Sequence, residues 1–567
     1  DQVEVWDTTI GECERGFCEG PLTRKQVCDM FKDTPYGPRP IPAFGIWQNG
    51  KLRRIDDALF SLHNALTYMR ETIACITAEF PAAVAAEFAK YISLEELGLR
   101  LGTDDIASAY RILVNAWPEY SVAAVWRPAE RGGPGVSYFA LRGYNFGLKS
   151  APVHLATLMD ALVHVTCKCG LVVGKQFYDD VAVVDQVCGA NSAQATLNHF
   201  FSLLGFPFAP RKHVRSRFAN PFLGVVSDFA HVRAGYVVVR VKEKRRRRLL
   251  SELSSVLDSG VLTPAHASRL RGKLFFTTSS AFFGVGRPAL QAFTERQYAK
   301  FSRRFRLNPS LRASLNFFKC LLGNLPAARV HLLPDSTRPL YIWSDAMWEP
   351  LSTGGSDRAS AVDAETGEVF YIAKAAVAFV CYDPVGNVWY ESSKSIGLET
   401  IKLMVPGKKT YIGQLEMLAA AFVLESLPAE VLVGRSAMFW IDNLSAKYGL
   451  QKAYAKVEDS GRILNAFKIK QAALHLRCWF EYVPSKQNVA DLPSRGDFAG
   501  MREVIDAVSA SEWTLFSLKA VLPNFSTWDA PLAVLPRRSR KRHGSRGAKR
   551  RRGHVSADAV VGAVASS

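Results

Sequence analysis

The stretch Phe177-Tyr178-Asp179-Asp180 constrains the chain more than any other, because it sets two adjacent carboxylates between Leu171-Val172-Val173 and Val181-Ala182-Val183-Val184. Both flanking runs are rich in β-branched residues and read as strands, with the polar residues between them forming a tight hairpin. Two aspartates at a hairpin tip repel each other, so stability gives no reason to put them there. A site for a divalent metal does, since it gains from their combined charge. A solvated turn would explain a lone pair; the residues upstream argue against that reading here.

Those residues are Asp104-Asp105-Ile106-Ala107-Ser108-Ala109-Tyr110-Arg111 and Tyr144-Asn145-Phe146-Gly147-Leu148-Lys149-Ser150-Ala151-Pro152. In order and spacing the three stretches resemble the palm of a reverse transcriptase, and three such motifs in one domain are far more specific than any one of them. The resemblance implies Asp105 and Asp179 as bridging ligands of two Mg²⁺ ions, or Mn²⁺ in their place, with Asp180 in support. It also selects Asp105 over Asp104, since a one-residue shift turns a strand side chain to the other face. Two ions about 4 Å apart clamp the attacking 3′ oxygen and the departing pyrophosphate. Further residues follow from the same resemblance. Lys51 and Arg53, within Lys51-Leu52-Arg53-Arg54-Ile55-Asp56-Asp57, would hold the incoming triphosphate, as Arg offers a fork of donors to phosphate. Tyr110, Phe146 and Gly147 would meet the nucleotide, with Tyr110 beneath its sugar. Lys212, after Leu204-Gly205-Phe206, would sit near the leaving phosphate, and Phe222-Leu223-Gly224 would grip the primer end.

At 567 residues the chain has room for two or more cored domains, and 48% hydrophobic with 22% charged residues is ordinary for a globular protein. No apolar run approaches the roughly eighteen residues of a membrane span. The first residue is Asp and no signal peptide precedes it, which suggests a piece of a longer polyprotein. A net charge of +19 points to a polyanionic partner, nucleic acid before anionic membrane. The ten cysteines are scattered. Cys167-Lys168-Cys169 has the wrong spacing for a zinc or redox motif, and Cys13, Cys18 and Cys28 lack a nearby histidine, so all read as reduced thiols of an intracellular protein, with a structural zinc at the N-terminus as the alternative.

Residues 1–44 are turn-rich, with Pro21, Pro35, Pro38, Pro40 and Pro42. Beyond the palm, Lys242-Glu243-Lys244-Arg245-Arg246-Arg247-Arg248 opens a helical run to Leu257. Ser268 to Leu274 and Ser310 to Leu322 read as further helix, fitting a thumb and connection that track a duplex backbone. Four stretches then follow in order: Leu340 to Asp345, a strand ending in an acid; Gln414-Leu415-Glu416-Met417, opening a helix; Ala437 to Asn443, a strand ending at Asp442; and Asn488-Val489-Ala490-Asp491-Leu492-Pro493-Ser494-Arg495. This order resembles ribonuclease H. The N-x-AD-x-x-SR ending is similar to that of retroelements, DIRS-like retrotransposons in particular. The resemblance implies a mixed sheet with flanking helices, and Asp345, Glu416, Asp442 and Asp491 as the four carboxylates of a two-metal hydrolysis. Two departures stand out: a long Gly-, Ser- and Asp-rich segment after Asp345, and Ser485-Lys486-Gln487-Asn488 where many ribonucleases H carry a histidine.

The expected fold is therefore α/β (α+β), a right-hand polymerase followed by a ribonuclease H-like mixed-sheet domain. Its expected parts are an N-terminal extension (1–44), fingers and palm (45–240), helical thumb and connection (241–335), ribonuclease H-like domain (336–500), C-terminal extension (501–536) and a basic disordered tail (537–567). That tail holds ten basic residues, without which the chain keeps about +9. It suits nuclear targeting or nonspecific RNA binding, with the protein in nucleus or cytoplasm. The expected function is RNA-directed DNA synthesis with cleavage of the RNA in the hybrid product. The expected partners are RNA template, DNA primer, RNA–DNA hybrid and deoxynucleoside triphosphates, with no membrane. A degenerate nucleic-acid-binding element copy is the alternative, which seven intact motif carboxylates argue against. An RNA polymerase would leave the second acid set without purpose.

Overall fold

The structure is a computed structural model that describes residues 1–48, 50–73, 75–189, 191–282, 284–299, 305–324, 327–333, 338–352, 359–509 and 511–533. The Lys51 side chain and the basic tail lie outside the described residues. The fold is α/β, several sheets with flanking helices that end in a six-stranded mixed sheet packed between helices.

The first sheet has five strands in the order Cys18–Leu22, Gly135–Leu141, Val122–Arg127, Ile41–Gln48, Lys51–Asp56. Residues 1–44 thus correct the expectation of a turn-rich extension. Helix Gln2–Glu14 packs Val5 and Trp6 against Ala123, Val125, Phe139 and Leu141 of that sheet. Four of the five prolines fall between 35 and 42, in and beside a connector, and Pro21 sits in an edge strand, where a missing N–H is tolerated.

The palm sheet runs Val173–Phe177, Asp180–Gln186, Leu99–Asp105, Val214–Arg217, every neighbouring pair antiparallel. Both faces are covered. Val181 and Val183 face the helices Ala151–Gly170 and Ser192–Leu203, whereas Ala182 and Val184 face Phe80–Phe88 and the small sheet around Val225 and Val237. Burial on two faces is why this strand reads as an unbroken apolar run. Its partner starts later than the Leu171–Val173 run suggested. The preceding helix continues to Gly170, Leu171 ends it in the left-handed conformation with φ +51°, and the strand begins at Val173.

Helices Glu243–Ser259, Pro264–Ala281, Gln291–Gln297 and Pro309–Asn324 surround a core of Leu253, Leu270, Phe293, Phe317 and Phe318. Part of the arginine run is paired internally: Glu243 accepts from Arg246 and Arg247, and these hydrogen bonds pull its carboxyl down to about 2. The last large sheet has six strands in the order Arg477–Tyr482, Ser436–Ile441, Leu340–Pro350, Ala373–Asp383, Val388–Ser395, Thr514–Ser517. Strand Leu340–Pro350 is antiparallel to Ala373–Asp383 and parallel to Ser436–Ile441, and helices Ile412–Ser426 and Glu458–Ala473 pack on the sheet. The expected C-terminal extension supplies most of helix Phe498–Val508 and an edge strand. It then carries Trp528 into the helical core, where Asn465 Nδ2 donates to the Trp528 carbonyl at 3.0 Å.

Two candidate carboxylate centres

The palm centre is built by register. Asp105 and Asp180 are directly opposed on neighbouring strands, and Ile106 N donates to the Asp179 carbonyl at 3.0 Å, closing the sheet edge. Tyr178 and Asp179 form the two-residue turn, with Tyr178 at φ +54°. A left-handed aromatic is strained, and such strain is typical of functional turns. Burial first, then repulsion from Asp105, holds the Asp179 carboxyl above its ordinary range. Asp180 rises to about 7 through burial, the Asp179 charge and a hydrogen bond with Asp105. Three carboxylates therefore crowd one place with too little positive charge to settle them. Lys212 Nζ pairs with Asp105 Oδ1, and the charges of Lys212 and of exposed Arg53 lower Asp179 in part.

One residue earlier the surroundings are opposite. Asp104 is 1% exposed on the other face. It accepts from Gln194 Nε2 at 2.8 Å and Asn198 Nδ2 at 3.3 Å, and meets His213 Nδ1 at 2.6 Å. Its lone pairs are spent inside the fold.

Tyr110 lies edge-on to Phe146, ring centroids 5.2 Å apart, and burial followed by the Asp179 charge raises its hydroxyl. Phe146 N donates to Asp56 Oδ2 at 3.0 Å and Asp56 N to the Phe146 carbonyl at 2.7 Å. Gly147 has φ +126°, and a Cβ there would stand 2.1 Å from the Asp56 carbonyl oxygen, so only glycine fits. Phe222 is 4% exposed and belongs to the core, which leaves Leu223 and Gly224, both left-handed, as the turn, with Arg245 packed over Gly224.

Sequence reading missed what holds these pieces together. Arg54 Nη1 meets Glu12 Oε2 at 3.1 Å and Arg54 Nε meets Asp56 Oδ1 at 3.3 Å. Arg111 Nη2 meets the same Glu12 oxygen at 3.1 Å, and Arg111 Nη1 donates to the Tyr144 carbonyl at 2.7 Å. All four charged residues are buried. The available signal was Arg54 and Asp56 two apart in a strand, hence on one face. Asp57, one residue on, accepts from Phe60 N through Oδ1 at 2.9 Å.

The second centre is tighter. Among the described residues, Asp345, Glu416 and Asp442 form a group whose ligand oxygens all lie within 4.8 Å of one another; the palm acids form no group that close. Asp345 sits in the middle of its strand rather than at the expected end, because pairing with Ala373–Asp383 continues unbroken to Pro350. Glu416 projects from a helix buried at every position from Gln414 to Leu424. Asp442 follows the last residue of its strand. Glu416 Oε2 and Asp442 Oδ1 are buried without a hydrogen-bond partner. Burial, then the Asp345 and Asp442 charges, lifts Glu416 well above its usual range. Asp345 is raised to about 7 by burial and by Asp442 and Asp491, against a Ser494 Oγ bond of 2.6 Å. Asn488 Nδ2 also donates to Asp345, at 3.3 Å. Asp491 opens a short helix, pairs with Arg495 at 2.9 Å, and adds its charge to both acids. Ser494 and Asn488 lie within the N-x-AD-x-x-SR stretch, where only Asp491 had been assigned a role.

Orphaned buried oxygens, all hard donors, suit a divalent cation such as Mg²⁺ at the second centre. At the palm the donors have the same chemistry, with Lys212 holding one oxygen of Asp105.

No family model matches the chain and no curated protein is significantly similar. Among solved structures, the foamy viral protease-reverse transcriptase in complex with dsDNA is similar at 12% identity and TM-score 0.40, over 85% of this chain and 82% of that one. A dRH form of the same viral protein, also with ds DNA, is similar at 12% identity and TM-score 0.39, over 83% and 68%.

Proposed function

We propose that this chain is an RNA-directed DNA polymerase that also cleaves the RNA strand of its hybrid product, the enzyme of a retroelement whose N-x-AD-x-x-SR ending is DIRS-like. The reading is carried by one observation: a single chain holds two carboxylate clusters on separate sheets, each with acids raised by burial and mutual repulsion that Lys212 at one and Arg495 at the other offset only in part. Such clusters are costly without a cation and useful with one. Mg²⁺ bound there would polarise phosphoryl oxygens and neutralise charge on attacking and departing oxygens.

The chain's own residues supply the rest. Asp105, Asp179 and Asp180 hold the ions at the palm. Lys212 exchanges its pairing with Asp105 for the leaving phosphate, and Arg53 and Lys51 steady the triphosphate of a deoxynucleotide. Tyr110, braced by Phe146 and the Gly147 turn, lies under the sugar, and Leu223-Gly224 supports the primer end. Asp345, Glu416, Asp442 and Asp491 hold the ions of the second centre, with Ser494 and Asn488 orienting Asp345. Extension of a DNA primer on an RNA template, with Mg²⁺ and labelled deoxynucleotides, is the test. Product is expected from the intact chain; a folded chain that binds hybrid but makes none would favour the degenerate copy. Preference for ribonucleotides would favour an RNA polymerase.

A further inference from the structure

Where the helical region meets the last sheet, the fold forms a half-open cavity of about 320 Å³. The end of helix Pro264–Ala281 and strand Ala328–His331 form one wall; helix Glu458–Ala473 and the start of strand Arg477–Tyr482 form the other. Its ionisable lining is cationic or neutral: Arg329, His331, Lys468, His475, Arg477 and the thiol of Cys478, with no carboxylate among the described lining residues.

Lys468 is the anomaly. It is 8% exposed, and its ammonium donates to Gln471 Oε1 at 3.0 Å and lies 5.6 and 5.5 Å from the ring centres of Phe467 and Phe480. A neutral amide and two ring faces do not replace the hydration of a buried cation. Burial accordingly holds its ammonium below the ordinary lysine range, with Arg287 adding to the effect. Arg477 gives Nη1 to the Leu333 carbonyl at 3.1 Å, while its Nε is buried without a partner. Cationic side chains without a carboxylate partner thus share the lining with an apolar set that includes Phe282, Val330, Ala472 and Leu476.

We propose that this cavity binds a small organic phosphate of nucleoside monophosphate size, its phosphate among Lys468, Arg477 and Arg329 and its flat body against Phe282 and Leu476. The volume lies at the lower end of small-molecule sites and excludes a polynucleotide from the interior. An anion there supplies the missing counter-charge for Lys468. Because the two walls come from different parts of the fold, the ligand also fastens the joint, and anything bound only by the folded state raises its melting temperature.

The test is equilibrium dialysis of the full chain with labelled AMP, adenosine or inorganic phosphate in EDTA, where neither carboxylate centre can hold a metal-bound nucleotide. AMP is expected to bind with one site per chain and to raise the melting temperature, and adenosine and phosphate to bind at least tenfold more weakly. Lys468→Met and Arg477→Gln should each weaken AMP at least tenfold. Ala472→Trp, which fills the space and leaves every charge in place, should do the same, and circular dichroism checks that each variant is folded. Should Lys468→Met fail to fold, the other two variants decide. No AMP binding at millimolar concentration overturns the proposal. So does undiminished binding in the folded variants, or phosphate alone binding as tightly as AMP, or retention of polynucleotide but not AMP. The measurement involves no catalysis, so its outcome is separate from that of primer extension.

Discussion

In the metal-free protein Asp345 keeps its proton to about pH 7, whereas in the unfolded chain it releases it near 4. Between those values the folded state binds a proton that the unfolded state has lost, so stability falls as pH rises through that window and the full cost is present above pH 7. Asp345→Asn removes this cost. With EDTA it should raise the melting temperature by several degrees at pH 8 and change it little at pH 5, and calorimetry would show it; an equal shift at both values would trace the effect to packing. Tyr110 offers a second test. Its ring is fixed by Phe146 and feels the Asp179 charge. Were it the floor beneath the sugar, Tyr110→Val should raise ribonucleotide relative to deoxyribonucleotide use by about tenfold, roughly 1.4 kcal/mol of discrimination, while extension survives. Lower stability with an unchanged sugar preference would make it a core residue only. Such acids and rings stood out in sequence because carboxylates at adjacent or strand-end positions are conspicuous. Their supports, Ser494 and Glu12 for example, are ordinary polar residues that only the fold brings close.

Elements were legible where local pattern and tertiary burial agree. The amphipathic run after Lys242 becomes a helix, and the β-branched run Val181–Val184 becomes a central strand. They were illegible where distant partners decide. Helix Gln2–Glu14 has its function in Glu12, 42 positions from Arg54 and 99 from Arg111 in the chain, and no periodicity reveals such pairings. Trp528 likewise looked featureless until the helical core closed over it. The ion quartet predicts an unequal response. Glu12→Ala leaves two buried guanidiniums sharing Asp56, at a cost of about 3–5 kcal/mol. Glu4→Ala, exposed on the same helix, should cost under about 0.5 kcal/mol. Thermal unfolding of both variants distinguishes them, and similar values would show that the quartet is not what fastens the helix to the sheet.

At the scale of the whole molecule, the proposed function raises the question whether two carboxylate sets in one chain act as two catalysts or as one extended site. No residue is shared between them, and each is mounted on its own sheet with its own core. Glu416→Gln keeps the shape of a buried side chain and removes a charge that Asp345 and Asp442 repel, so the variant should fold at least as well as the parent. It should lose cleavage of the RNA strand by about a hundredfold or more, the loss of roughly 3 kcal/mol of transition-state stabilisation, and retain DNA synthesis within about twofold. Asp179→Asn should do the reverse, with hybrid cleavage kept and primer extension lost. Each variant is the other's control for folding and hybrid binding. Loss of both activities in both folded variants would mean that the centres act as a unit, and the two-catalyst reading would have to be given up.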